Sequence, residues 1–229
     1  GIIGESGCGK STLAKAVLGV LPSNAQVTGG EIWFNDIDLL RLSPSERRAY
    51  RWHHLACIPQ SSMESLNPVR RLCAQFEELL TVRGDYTKEN AAERTADLLS
   101  MVELPADIVS AYPHELSGGM KQRAVIAMAL ALNPRLLVAD EPVNALDVLV
   151  QRQILDVLQT LRKELQLSMV LITHDISVIG QDCENVAVMY AGSVMETAPT
   201  RALFDSPRHA YTSGLLRSFP SIAALETDL

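Results

Sequence analysis

Residues Gly4-Glu5-Ser6-Gly7-Cys8-Gly9-Lys10-Ser11-Thr12 follow a short apolar run, Gly1-Ile2-Ile3, and precede an amphipathic stretch, Leu13 to Leu21. A GxxxxGK[ST] loop between a strand and a helix admits few chain paths, because its backbone must close around an anion. The glycines let N–H groups turn inward where a side chain would block the approach. The helix behind the loop presents its positive dipole end to the same anion. Lys10 supplies a mobile charge for the outer phosphates, and Ser11 a hydroxyl for Mg²⁺. Residues Glu5, Ser6, Gly7, Cys8, Gly9, Lys10, Ser11 and Thr12 are therefore the expected cradle of a nucleoside triphosphate. Cys8 is expected to offer only its backbone N–H, and Glu5 to point its carboxylate away.

The 229 residues suit one α/β domain with room for an inserted lobe, and 47% apolar with 21% charged residues indicates a folded chain. A net charge of −7 argues against a nucleic-acid-binding surface. The densest basic cluster, Arg47, Arg48 and Arg51, reads as a solvated helix face. The longest apolar stretch, Ala124 to Leu132, is too short for a membrane span and reads as a buried helix. Work at a membrane would therefore need a partner to hold the chain there. Cys8, Cys57, Cys73 and Cys183 form no CxxC pair and are expected to be reduced, mostly buried thiols. No ligand spacing links His53, His54, His114 and His209, which are read as exposed or structural. The phosphate loop stands so near Gly1 that the chain is expected to be a fragment.

Apolar runs alternate with helical patterns, which indicates a mainly parallel sheet with helices on both faces. Glu31 to Phe34 reads as a strand ending in the turn Asn35-Asp36. Ser43-Pro44-Ser45-Glu46 is a capping box that starts a helix. His54 to Pro59 and Leu136 to Ala139 read as strands, the latter of the buried parallel type. Between Ser61 and Leu132 the patterns are helical, around Leu72–Val82 and Ala91–Val102. The expected division is thus a core of residues 1–60 and 133–229 with a helical subdomain, 61–132, inserted. A stripe from Val150 through Ile154, Val157, Leu158 and Leu161 to Leu165 reads as core packing. Met169–Thr173 is a further strand, and Val186–Tyr190 with Ser193–Glu196 a hairpin near the sheet edge.

Asp140 and Glu141 directly follow the strand Leu136–Ala139, where α/β folds place ligands. An Asp there can hold Mg²⁺, and a Glu beside it can deprotonate an attacking water. Ser117-Gly118-Gly119 opens onto a helix and is a second anion site built on the same physics. One nucleotide does not need two such sites from one subunit, whereas two subunits head to tail could each complete the other's.

Together these segments resemble the ATPase subunit of an ATP-binding cassette (ABC) transporter. Leu116-Ser117-Gly118-Gly119-Met120 resembles the signature motif, and Leu137 to Pro142 the Walker B segment. Gln60 matches the Q-loop glutamine, Ala145-Leu146-Asp147 the D-loop, and His174 the switch histidine. Ser65-Leu66-Asn67-Pro68-Val69 and Ser206 to Leu216 resemble the importers of dipeptides, oligopeptides and nickel. The resemblance implies a P-loop NTPase core, ATP and Mg²⁺ as ligands, and ATP hydrolysis driving uptake. It implies Glu141 as general base, His174 on the γ-phosphate, and Ser11, Gln60 and Asp140 around the metal. Ser117, Gly118 and Gly119 would complete the nucleotide site of a second ATPase subunit, identical or related. The implied partners are transmembrane permease subunits and, indirectly, a solute-binding protein, with the chain peripheral on the cytoplasmic face of the membrane. Segment 61–82, after Gln60, is expected to meet the permease. Other readings are an ABC ATPase for another solute or a soluble ABC ATPase outside transport. The chain departs from the family in having Val143-Asn144 after Pro142 and Ser61-Ser62 after Gln60. The family's adenine-stacking aromatic, which precedes the phosphate loop, is expected to lie outside these residues.

Overall fold

The structure, a computed structural model, describes residues 1–218. The expected core segment 133–229 thus has its last residues, 219–229, outside the described ones. The elements are β1 (Ile2–Ile3), α1 (Lys10–Leu18), β2 (Trp33–Phe34), β3 (Ile37–Asp38), α2 (Pro44–His53), β4 (Leu55–Ile58), α3 (Leu72–Arg83), α4 (Lys88–Met101), α5 (Gly118–Ala129), β5 (Leu136–Asp140), α6 (Val148–Glu164), β6 (Ser168–Ile172), α7 (Ile176–Asp182), β7 (Asn185–Tyr190), β8 (Ser193–Pro199), α8 (Thr200–Asp205) and α9 (Ala210–Arg217). They fall into two compact units, residues 17–169 and residues 1–16 with 170 onward.

In the second of these, the short strand β1 is central. Ile2 pairs in parallel with Ile172 of β6 and with Ala187 of β7, and Ile3 pairs with Val188. Ile3, Ile172, Ile179 and Val188 are fully buried, so this two-residue strand is fixed by apolar packing as well as by its ladder. The hairpin read from the sequence is present: β7 and β8 are antiparallel. Their turn, Ala191-Gly192, has φ of 46° and 84°, the left-handed pair that suits the twist of a two-residue hairpin.

In unit 17–169, β4 and β5 pair in parallel, Leu55 opposite Leu136 through Ile58 opposite Ala139. The strand at Trp33–Phe34 has a partner that the sequence did not announce, β3, across the Asn35 turn at φ 52°. α2 starts in the expected capping box: the Glu46 amide donates to Ser43 Oγ and the Ser43 amide to the Glu46 carboxylate. The basic cluster behind it is not simply solvated. Arg47 donates to the carbonyls of Leu40 and Leu42, and Arg51 to those of Leu18 and Gly19 at the end of α1. A guanidinium can satisfy several orphan helix-end carbonyls at once.

From 61 to 132 the regular elements are all helical, joined by short loops. Phe76, Leu80, Leu98 and Leu99, on α3 and α4, are fully buried. α5 is apolar from Ala124 to Ala129, and Ala124, Ile126 and Ala127 are inaccessible. It stops at Ala129 rather than running to Leu132. Arg94 takes the carbonyls of Leu130 and Ala131 and the Asn133 side chain, satisfying the chain end away from helical geometry. The α6 stripe is also shorter than expected: Ile154, Val157, Leu158 and Leu161 are buried, whereas Val150 is half-buried and Leu165 exposed. Of the cysteines, all free, only Cys8 is buried; the other three are half-buried.

Phe76→Ala should cost about 3–5 kcal/mol, because a fully buried aromatic leaves a cavity. Val69→Ala, at 79% exposure, should stay within about 0.5 kcal/mol of the parent. Urea denaturation of the two variants measures the contrast.

Candidate functional site

The loop from Gly4 to Gly9 turns on glycines at Gly4 (φ 150°), Gly7 (φ 81°) and Gly9 (φ 104°). At Gly4 the need is absolute: a Cβ would lie 2.1 Å from the Met189 carbonyl. Lys10, the first residue of α1, is only 6% exposed, and its ammonium donates to the carbonyls of Gly4 (2.7 Å) and Glu5 (2.9 Å). A buried cation needs such dipoles, and phosphate oxygens would replace them with full charge. Cys8 offers more than its amide, since its Sγ lies 3.7 Å from Lys10 Nζ. Ser6 and Gly7 are exposed, Ser11 is half-buried in the first turn of α1, and Thr12 is exposed. The Glu5 side chain is exposed.

His174 follows β6 and is exposed. Its neighbours are fixed: Thr173 Oγ1 accepts from the Asp175 amide, and the Asp175 carboxylate caps α7 through the amide and hydroxyl of Ser177. The imidazole thus stands on a rigid strand–cap junction.

Unit 17–169 holds the acidic pair. Asp140 ends β5 and is 5% exposed, and its Oδ1 is buried without a hydrogen-bond partner. An orphaned, buried carboxylate oxygen is an unusual cost, and it fits a hard divalent cation with oxygen ligands. Among the described residues no group of three or more His, Cys, Asp or Glu is gathered as a metal site, so hydroxyl, amide and phosphate oxygens would have to complete the shell. Glu141 adopts φ 48°, a strained value for this residue type. Its Oε2 accepts from the Gln60 amide (3.5 Å) and from the Asn144 amide (3.2 Å). The structure therefore brings Gln60 and Glu141 together, 81 positions apart in the chain.

Ser117 caps α5, its hydroxyl accepting from the Met120 amide (3.3 Å). Gly118 and Gly119 form the first turn, where amides point out of the helix end. Both glycines sit against the segment after Asp140: a Cβ on Gly118 would lie 3.2 Å from Leu146 Cδ2, and one on Gly119 2.8 Å from Val150 Cγ1. The half-exposed stripe position Val150 is thus a spacer for the glycine turn.

Two contacts were not legible in the sequence. Asn144 contacts Glu141, although it stands where small hydroxyl residues were the pattern. Ser62 Oγ, two positions past Gln60, donates to the buried Gln122 Oε1 of α5 at 2.6 Å. Only proximity in space reveals either. A groove of about 760 Å³ lies in the same unit, lined by Leu18, Trp52, Leu79, Val82, Arg83 and Met128 among others. Within segment 61–82, Ser62 and Leu66 are buried, while Val69 and Val82 are exposed. Of the histidines read as structural, His54 packs at a tilt against Tyr50, His114 stacks with Tyr112, and His209 caps α9.

The family model described as "ABC transporter" matches residues 1–144, and one described as "Oligopeptide/dipeptide transporter, C-terminal region" matches residues 195–229. A probable peptide ABC transporter ATP-binding protein of Sinorhizobium fredii is 44% identical over 223 residues, 96% of this chain and 67% of that protein. The dipeptide transport ATP-binding protein DppD of Escherichia coli is 43% identical over 97% of this chain and 69% of its own length. The oligopeptide transport ATP-binding protein OppD of Bacillus subtilis is 44% identical over 96% and 63%. The dimeric post-hydrolysis structure of the ATP-binding cassette MJ0796, bound to ADP and Pi, superposes with a TM-score of 0.74. It is 30% identical and covers 87% of this chain and 84% of that one.

Gly119→Ala should cost about 1–3 kcal/mol by overpacking against Val150. Adding Val150→Ala should recover most of that loss. Thermal denaturation of the single and double variants reads the coupling, and additive losses would contradict it.

Proposed function

The chain belongs to the ABC transporter family, and we propose that its ATP hydrolysis drives peptide uptake through a separate transmembrane permease. The observation that carries the chemical reading is the end of β5. A buried Asp140 oxygen lacks a partner there, next to a Glu141 carboxylate held by the Gln60 and Asn144 amides. The likeness of residues 195–229 to the peptide-transporter C-terminal region supports the choice of solute class.

In this reading, the loop amides of residues 5–12 and the Lys10 ammonium bind the triphosphate. Lys10 exchanges the Gly4 and Glu5 carbonyls for phosphate oxygens. Mg²⁺, when bound, neutralises charge on the β- and γ-phosphates. Ser11, Gln60 and Asp140 are the residues that would hold it. Glu141 takes the proton of the attacking water, its carboxylate oriented by the two amides. His174 donates to the γ-phosphate. Ser117, Gly118 and Gly119 face the nucleotide of a second ATPase subunit, identical or related, and both subunits lie peripherally on the cytoplasmic face of the membrane. Residues 1–60 and 133–229 act as the P-loop core and 61–132 as the inserted helical subdomain. A solute-binding protein delivers the peptide to the permease. Catalysis is then chiefly positioning and electrostatics.

The apolar groove of unit 17–169 suits a short permease helix, and exposed Val69 and Val82 stand on the segment beside it. Val69→Cys and Val82→Cys should crosslink to a cytoplasmic permease loop in membranes. Crosslinking from Trp33→Cys in their stead would overturn this docking face.

Glu141→Gln keeps the shape but removes the base. Phosphate release should fall at least about a hundredfold, the low end of acid–base contributions. ATP binding should persist and a nucleotide-bound dimer accumulate on size-exclusion chromatography. Lys10→Ala should lose ATP affinity and the dimer together. A Glu141→Gln protein hydrolysing at the parental rate would remove Glu141 from the chemistry.

A further inference from the structure

The phosphate loop is tied to the β7–β8 hairpin. The Gly192 amide donates to the Cys8 carbonyl at 3.0 Å, and Gly4 leaves no room between itself and the Met189 carbonyl. Helix α9 is seated on the same hairpin. Glu196 of β8 accepts from the amides of Arg208 (2.9 Å) and His209 (3.0 Å). His209 Nδ1 accepts from the Tyr211 amide, which starts the helix. The Tyr211 ring then lies 4.5 Å from that of Tyr190, the last residue of β7.

The Tyr211 hydroxyl is buried and makes no well-formed hydrogen bond. Glu5 and Cys8 are its polar neighbours: burial raises the phenol above its ordinary value, the Glu5 backbone opposes that shift, and the Glu5 carboxylate and Cys8 thiol add to it. Glu5 is the residue whose carbonyl holds the resting Lys10 ammonium.

We propose that Tyr211 is a positioning residue for the phosphate loop. Anchored through the start of α9 on Glu196, its ring backs Glu5 and keeps the loop in its anion-ready shape. Nucleotide affinity in this chain would then depend on a segment some two hundred positions from the loop. The inference rests on the reading of residues 4–12 as the triphosphate cradle.

The test uses the full chain assembled with its permease. Tyr211→Ala should raise KM for ATP about tenfold while kcat stays within about twofold, the signature of lost binding without lost chemistry. Glu196→Ala, which touches no loop residue, should do the same. Tyr211→Phe keeps the ring and should stay near the parent. Maleimide labelling mapped by peptide mass should speed up at Cys8 in both alanine variants, with Cys57 and Cys73 unchanged. Parental KM and parental Cys8 labelling in both would overturn the proposal. So would acceleration at all cysteines with a fall in kcat, which marks general destabilisation. Lys10→Ala separates the two readings. If it binds ATP normally, the loop assignment itself fails; if it loses ATP and Tyr211→Ala does not, only the role of Tyr211 falls.

Discussion

A lysine ammonium buried to 6% exposure sets the terms for the phosphate loop. Lys10 could not stay charged there without acceptors, and the Gly4 and Glu5 carbonyls supply them at 2.7 and 2.9 Å. Those carbonyls face inward only because the loop turns on glycines with positive φ, one of which packs directly on the backbone of β7. The short strand β1 delivers the loop, and its parallel ladders to β6 and β7 fix the angle. In the proposed reading, nucleotide binding exchanges those dipoles for phosphate charge.

A comparable constraint operates in unit 17–169. Asp140 is buried with an oxygen unmatched, and Glu141 is held at positive φ with two amides on its carboxylate. Such local costs are tolerated where the surrounding structure enforces them. Here β5 is buried on both sides, and the turn at Glu141–Ala145 is closed by the Asn144 amide bonding back to the Glu141 carbonyl. The Ser62–Gln122 hydrogen bond carries this order further. It joins the segment after Gln60 to the helix that begins at the Ser117 cap. That contact is buried and directional.

The sequence was legible where chemistry depends on neighbours in the chain. Glycine spacing around Lys10, the capping box at Ser43–Glu46 and the Ala191-Gly192 turn each act over a few residues, and each is found as read. Where a distant group intervenes, the reading failed. Arg94 ends α5 at Ala129, Arg47 and Arg51 serve carbonyls instead of solvent, and Val150 leaves the core to space a glycine turn. The candidate site divides the same way. Lys10, Ser117, Asp140 and Glu141 could be named from local pattern, but not Ser62 or Tyr211, whose contacts cross from one element to another.

The sequence by itself thus determined an anion-binding loop, an acidic pair at the end of a buried strand, and membership of a family of ATPases. Period, glycine placement and hydrophobic runs encode the loop and the acidic pair directly, and the family is carried by the resemblance of the motifs. Tertiary structure alone decided which carbonyls hold Lys10 and which amides orient Glu141. It also decided which aromatic ring packs on Tyr190 at the end of β7. The Gln60–Glu141 contact, for one, joins segments 81 positions apart, and a linear pattern carries no record of distances that only folding brings within hydrogen-bond reach.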